Sequence, residues 1–174
     1  ALTSGKHIFS EKPLAESHKD AKEMYLLAEN TGLINMVNFS YRNSSGIQEI
    51  NKIIKSGDLG SVKHVDASYF QSWLTSGYWG NWKDNPLFLW RLSKKHGSAG
   101  VLGDLGVHLF DFVTFPVGEI KKIFCYLKTH KEKGERIGDY FLDANDSFIS
   151  IVRFKNGATG TISSSRVATG YMNR

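Results

Sequence analysis

Two short runs carry side chains whose types and spacing suit proton chemistry at an oxidisable carbon: Gly5-Lys6-His7-Ile8-Phe9-Ser10-Glu11-Lys12-Pro13 and Gly103-Asp104-Leu105-Gly106-Val107-His108. Lys12 brings an ammonium to the end of an apolar strand. Pro13 restricts it to extended backbone, because the proline ring disfavours helical geometry in the residue before it. The Lys12–Pro13 bond is a candidate for the cis form. Asp104 and His108 stand four positions apart, on one face of a helix. An ammonium, a carboxylate and an imidazole can together remove a proton from a hydroxyl while a hydride leaves its carbon. An imidazole, with a reference pKa of about 6.5, suits the base. A lysine cation stabilises developing alkoxide charge. A carboxylate one turn away can hold the substrate by a charge-assisted hydrogen bond.

Each run also has a plain structural reading. Asp104 at a helix N-terminus would be stabilised by the dipole by about 0.3–1 kcal/mol, with His108 partly buried and satisfied, and Glu11-Lys12-Pro13 would be a solvated turn. Asp104 and His108 lack an identifiable third strong ligand, so no metal is expected.

These groups need elements to position them. Residues 6–12 read as a strand. Ser17 opens a helix with Asp20 three positions on, Ala21, Met24, Leu27 and Ala28 form its apolar stripe, and Gly32 ends it. A strand is expected from Ile34 to Tyr41. This strand–helix–strand order is that of the closing part of a doubly wound parallel sheet. The polar run Arg42-Asn43-Ser44-Ser45-Gly46 marks a domain boundary, giving 1–42 as the remnant of a dinucleotide-binding domain and 43–174 as an α+β domain. In the latter, Ile47, Ile50, Ile53 and Ile54 mark a helix stopped at Gly57, and Val62 to Gln71 a strand. A helix is expected from about Asp104 to Phe115, with Leu102, Leu105, Leu109 and Phe112 on the sheet. Strands follow near 120–130, 146–154 and 158–166, the last two joined by a tight turn at Lys155-Asn156-Gly157. The fold class is thus α+β: a Rossmann-type tail, then a mainly antiparallel open sheet with helices on one face. The opening residues read as a helix end capped by Gly5. More chain is expected upstream, and more strands after Arg174.

Composition narrows the function. The chain has 174 residues, 41% hydrophobic and 22% charged, with 22 basic and 17 acidic residues and a net charge of +5. The basic excess is spread out. Its densest stretch, Lys121 to Arg136, alternates with apolar residues as a strand with one solvated face would. No nucleic-acid motif accompanies it, so neither nucleic acid nor membrane is an expected partner. A single cysteine, Cys125, fits a reducing, cytoplasmic compartment. All four tryptophans, Trp73, Trp79, Trp82 and Trp90, fall between Ser72 and Gly100. Three are expected to fill the core or an oligomer contact. Trp90-Arg91 is a candidate for a hydroxylated or anionic substrate, and Arg42 either meets substrate or ends its strand.

Five runs in order resemble the Gfo/Idh/MocA family of nicotinamide-dependent oxidoreductases, which includes glucose–fructose oxidoreductase and inositol dehydrogenases. They are Ala1 to Leu14 (ALTSGKHIFSEKPL), Phe39-Ser40-Tyr41-Arg42, Ile54-Lys55-Ser56-Gly57-Asp58-Leu59-Gly60, Gly103 to His108, and Phe154-Lys155-Asn156-Gly157-Ala158-Thr159-Gly160. The resemblance departs in lacking a glycine-rich strand–loop–helix and in its tryptophan-rich stretch. It implies hydride transfer between NAD or NADP and a sugar, cyclitol or related polyol. It puts Glu11, Lys12 and Pro13 at the nicotinamide end of the cofactor, Lys12, Asp104 and His108 as the catalytic group, and Trp90, Arg91 and Arg42 at the substrate. It also implies a homo-oligomer through the open face of the C-terminal sheet. A different class stays open: a non-enzymatic sugar-binding or assembly module derived from such an enzyme. Titration of tryptophan fluorescence with sugars and with NAD(H) separates the two.

Overall fold

The computed structural model describes residues 1–77 and 79–173. A 3-10 turn, Leu2–Ser4, ends at Gly5 and leads into strand β1 (Ile8–Ser10). Helix α1 (His18–Thr31) starts as its sequence requires: the Ser17 side chain accepts from the Asp20 backbone N–H at 3.1 Å. That bond satisfies one of the free donors of the first turn. Strand β2 (Asn35–Val37) returns parallel to β1 in a two-stranded sheet, with Ile8 opposite Asn35. This second strand is shorter than expected. Ser40–Asn43 turn into a 3-10 helix instead, which brings Tyr41 and Arg42 toward the rest of the chain. The stripe of α1 is only partly covered, with Ala28 buried but Leu27 exposed beside Tyr25 and Leu26.

Helix α2 (Ser45–Ser56) is amphipathic and buries Ile47. Strand β3 (His64–Phe70) follows, and Val65, Ala67 and Tyr69 face the core. The tryptophan-rich stretch is a chain of single turns: Trp82–Asp84, helix α3 (Pro86–Leu89), Trp90–Leu92 and Lys94–His96. Trp73, Trp82, Leu89, Leu92 and Leu142 bind these turns into a small second core. Trp73 and Trp82 therefore fill the interior as expected, whereas Trp79 and Trp90 keep substantial exposure.

Next comes a helix with an irregular first part. Gly100 and Val101 are helical, Leu102–Gly106 form a π-helical turn, and α4 (Val107–Val117) continues without a break. Two expectations change here. Asp104 sits inside the π turn rather than at a helix N-terminus, so the dipole does not account for it. The wider turn also shifts the buried stripe to Val101, Leu105, Leu109 and Val113, which pack on Phe148, Val152, Phe154 and Ile162 of the sheet; Leu102 is only half-buried.

Strands β4 (Ile120–Lys128), β7 (Ser147–Phe154) and β8 (Thr159–Ser165) complete a four-stranded sheet of order β3-β8-β7-β4. Between them lies a small hairpin, β5 (Arg136–Ile137) with β6 (Tyr140–Phe141). β4, β7 and β8 run antiparallel, while β3 joins β8 in parallel. Gly157, at φ 95°, closes the β7–β8 turn in a conformation that other residues adopt at a cost. α4 covers β3, β8 and β7 but leaves β4 bare. Every residue from Lys121 to Lys128 is exposed, so the expected single solvated face is in fact two.

Candidate active site

Topology brings the two sequence runs together. Lys12 leaves the carboxyl end of β1, and its bond to Pro13 is cis. Its Nζ donates to the Asp104 carbonyl at 2.9 Å and to Asp104 Oδ1 at 3.3 Å. Asp104 can receive a side chain there because the π turn bulges out of the helix; such turns often mark functional positions. Arg91, from the turn Trp90–Leu92, brings Nε within 3.7 Å of Asp104 Oδ2. The Arg91 guanidinium also lies 4.7 Å from the centre of the Trp90 ring. Lys12, Pro13, Trp90, Arg91 and Asp104 line one cavity of about 140 Å³. A larger groove of about 920 Å³ adjoins it across Pro13, Gly97, Ser98, Ala99 and Gly103, with Glu16, His18 and Lys94 on its walls.

A third cation, which the sequence reasoning missed, completes the group. Arg166 follows β8, is fully buried, and donates from Nη2 to Asp104 Oδ2 at 2.6 Å. Burial alone would raise the Asp104 carboxyl. Arg166, Lys12 and Arg91, in that order, outweigh it and hold the group below its ordinary range. The carboxylate is therefore ionised at neutral pH, enclosed by three cations.

His108 is buried, and its Nδ1 has no hydrogen-bond partner among the described residues. The Tyr41 ring lies 4.5 Å from the imidazole at 38°, and Phe39 meets it edge-on at 6.3 Å. Burial pushes the imidazole below its ordinary value and Lys12 pushes it further, against the opposing pull of Asp104, Asp111 and Glu11. At neutral pH it is thus uncharged and able to accept a proton. Tyr41 and Tyr69 bring their hydroxyls to 3.4 Å. Burial, helped by Tyr41, pushes the Tyr69 phenol up, so it remains a donor. Neither tyrosine was singled out from the sequence, although Tyr41 lies within the run Phe39 to Arg42.

Glu11 borders this group with its carboxylate on Asn38 Nδ2 at 2.8 Å. Arg42 stands apart from the cavity. Its guanidinium forks onto both oxygens of Asp111, three residues beyond His108, and stacks 4.8 Å from the Phe115 ring. Of its two expected roles, meeting substrate or ending a strand, the geometry serves neither directly: Arg42 ties the 3-10 turn to α4. Among the described residues no three His, Cys, Asp or Glu side chains cluster to hold a metal.

Residues 47–174 match the GFO/IDH/MocA C-terminal domain, and residues 1–39 match the oxidoreductase family with an NAD-binding Rossmann fold. Levoglucosan dehydrogenase of Pseudarthrobacter phenanthrenivorans is 29% identical over 188 residues, covering 99% of this chain and 46% of that protein. A crystal structure of levoglucosan dehydrogenase in complex with NADH and levoglucosan superposes with a TM-score of 0.84 at 33% identity, over 99% of this chain and 45% of that one. An NAD-binding oxidoreductase from Klebsiella pneumoniae does so with a TM-score of 0.83 at 30% identity, over 99% and 44%. The chain spans 33–46% of the length of the curated relatives it matches.

Proposed function

Because the chain belongs to the Gfo/Idh/MocA family of oxidoreductases, we propose that its protein transfers hydride between NAD or NADP and a sugar, cyclitol or related polyol. Residues 1–42 belong to the end of the dinucleotide domain and 43–174 to the substrate and oligomerisation domain. The observation that carries this reading is one constellation: an ammonium 3.3 Å from a carboxylate oxygen and 2.9 Å from the same residue's carbonyl, beside a buried neutral imidazole whose Nδ1 has no partner among the described residues. A nicotinamide end of the cofactor would meet Lys12, Pro13 and Trp90, which line one cavity. When bound, the cofactor supplies the two-electron acceptor or donor.

The chain's own residues handle the proton. In the oxidation direction His108 takes it from the substrate hydroxyl. Lys12 stabilises the negative charge that develops on the oxygen. Asp104 holds the Lys12 ammonium in place, and Glu11 and Pro13 shape the strand end from which it projects. Trp90 and Arg91 flank the substrate, where an aromatic face and a forked donor suit a sugar ring and its hydroxyls. Arg42 serves the substrate side through Asp111 and α4. In the reduction direction the same proton returns from His108.

A homo-oligomer through the C-terminal sheet fits the same picture. Phe124, Tyr126, Ile149 and Ile151 pair across β4 and β7 on the face away from α4, and each is more than half exposed. Such a patch on a solvated sheet face marks an interaction surface. No helix among the described residues is long and apolar enough to cross a membrane. A cytoplasmic, reducing setting suits the free, exposed Cys125.

The test is turnover of the full-length protein with NAD⁺ and NADP⁺ against a panel of anhydrosugars, aldoses and inositols. Formation of reduced nicotinamide with at least one polyol is expected. Sugar binding without any nucleotide binding would overturn the enzymatic reading in favour of a binding module.

A further inference from the structure

Arg166 presents an unusual combination. Its side chain is wholly buried, yet its Nε has no hydrogen-bond partner among the described residues. A buried cation with one polar atom unsatisfied is a poor device for stability, since an apolar side chain of similar volume would fill the space as well or better. Both of its terminal nitrogens reach residues of the candidate site. Nη2 reaches Asp104 Oδ2 at 2.6 Å, Nη1 reaches the Arg91 carbonyl at 3.0 Å, and the guanidinium rests 5.3 Å from the centre of the Trp73 ring. The backbone is pinned on both sides: Arg166 N–H donates to the Asp146 carbonyl at 2.9 Å, and its carbonyl accepts from Leu74 N–H at 3.3 Å.

We propose that Arg166 is the positioning residue of the Asp104 carboxylate: by holding Oδ2 it fixes the carboxylate plane and presents Oδ1 to the Lys12 ammonium, which acts at the reacting oxygen. The inference rests on the catalytic reading given above. The two oxygens divide their work, Oδ2 toward Arg166 and Arg91, Oδ1 toward Lys12. The guanidinium addresses the Asp104 carboxylate and the Arg91 carbonyl from two different nitrogens, a fixed fork that a single ammonium nitrogen does not offer. Arg166 thereby locks the backbone that carries Arg91 as well as the carboxylate that Arg91 faces.

The charges around Asp104 come from several elements: Lys12 beyond β1, Arg91 from its turn, Arg166 beyond β8, Tyr69 on β3 and His108 on its own helix, with Asp146 facing Arg166. Removing Arg166 takes away the strongest of the cations that lower the Asp104 carboxyl. The upward push of burial then opposes only Lys12 and Arg91.

The experiment follows the Asp104 carboxyl carbon by NMR in the full-length protein labelled at aspartate carboxyls, its signal identified by loss in Asp104→Asn. In Arg166→Met the titration midpoint moves up from the wild-type value, and in Arg166→Lys it lies between the two. In the same protein kcat falls tenfold or more in Arg166→Met, and cofactor Kd is unchanged. An identical midpoint in wild type and folded Arg166→Met overturns the proposal. If Arg166→Met does not fold, Arg166→Lys decides on the same signal, where an unshifted midpoint together with an unchanged kcat is the overturning result. A wild type that turns over no polyol refutes the dehydrogenase reading, while the NMR midpoint still decides whether Arg166 governs Asp104.

Discussion

Replacing Lys12 by Met removes an ammonium while keeping an unbranched stem of similar length against the strand end. Two separable losses follow. Lys12 Nζ makes hydrogen bonds to the Asp104 carbonyl and Oδ1 at 2.9 and 3.3 Å, and the paired side chains keep 20% and 31% exposure. Charged hydrogen bonds contribute about 1.5–3 kcal/mol when sheltered, but solvent screens this pair, so about 1–2 kcal/mol of stability should go. For a chain of this size that lowers the melting temperature by roughly 2–8 °C. Asp104 stays ionised because Arg166 and Arg91 remain beside it. The rate suffers more. Loss of one donor at a developing oxyanion costs about 10²–10³ in kcat. The Lys12 charge also stops depressing His108, so the acid limb of the rate moves up toward the ordinary histidine value. The assay is ultraviolet absorbance of reduced nicotinamide across pH, with thermal melting on the same samples. Unchanged kcat, or a loss confined to KM with no movement of the acid limb, would refute the assignment of Lys12 to the reacting oxygen.

Further outcomes follow from other parts of the structure. His108→Asn should lower kcat by about 10²–10⁴. In the wild type, burial and Lys12 hold the imidazole below its ordinary value, so its base form persists through neutral pH and the rate falls only below that value; a limb above it would contradict the site. Gly106→Ala would set a methyl carbon 2.9 Å from Leu102 Cδ1 and 3.0 Å from Phe148 Cε1. Forcing that contact should destabilise by about 1–3 kcal/mol, read as a lower denaturant midpoint. Ile151→Glu, on the bare face of β7, should shift the solution mass toward monomer in sedimentation; an unchanged mass would move assembly to another surface.

Local signals in the sequence carried a good part of the fold. Ser17 with Asp20 starts α1, and Gly32 ends it. Lys155-Asn156-Gly157 makes the turn between β7 and β8, and the apolar spacing after Asp104 yields a helix on the sheet. What escaped depends on distant chain. Arg166 is separated from Asp104 by 62 residues, and only the placement of β8 joins them. A signal was nonetheless present: Ile162 and Ser164 lie on the inward face of β8, and alternation carried two residues on lands a charged side chain on the core side. The π turn left no comparable mark, since Leu102 and Leu105 fit an ordinary helical stripe equally well. β4 departs from the expected single solvated face because its apolar run, Ile123 to Leu127, places apolar side chains on both faces. In the structure no helix reaches them, and Ile123 and Leu127 are bare although they point to the same side as Phe148 and Val152.

The π turn at Leu102–Gly106 also bears on how such a site arises and is lost. A helix gains a turn of this kind when its chain is one residue longer than the α-helical path requires. Deleting a single codon there would restore regular winding and leave the helix on either side of the turn in phase, because the turn holds the one extra residue. The sheet contacts of Val101, Leu109 and Val113 would survive, while the bulge that presents Asp104 to Lys12 and Arg166 would close. A lineage, or a library built by one-residue deletions, could thus silence the chemistry by closing this one bulge, with every reactive side chain still encoded and the core still packed.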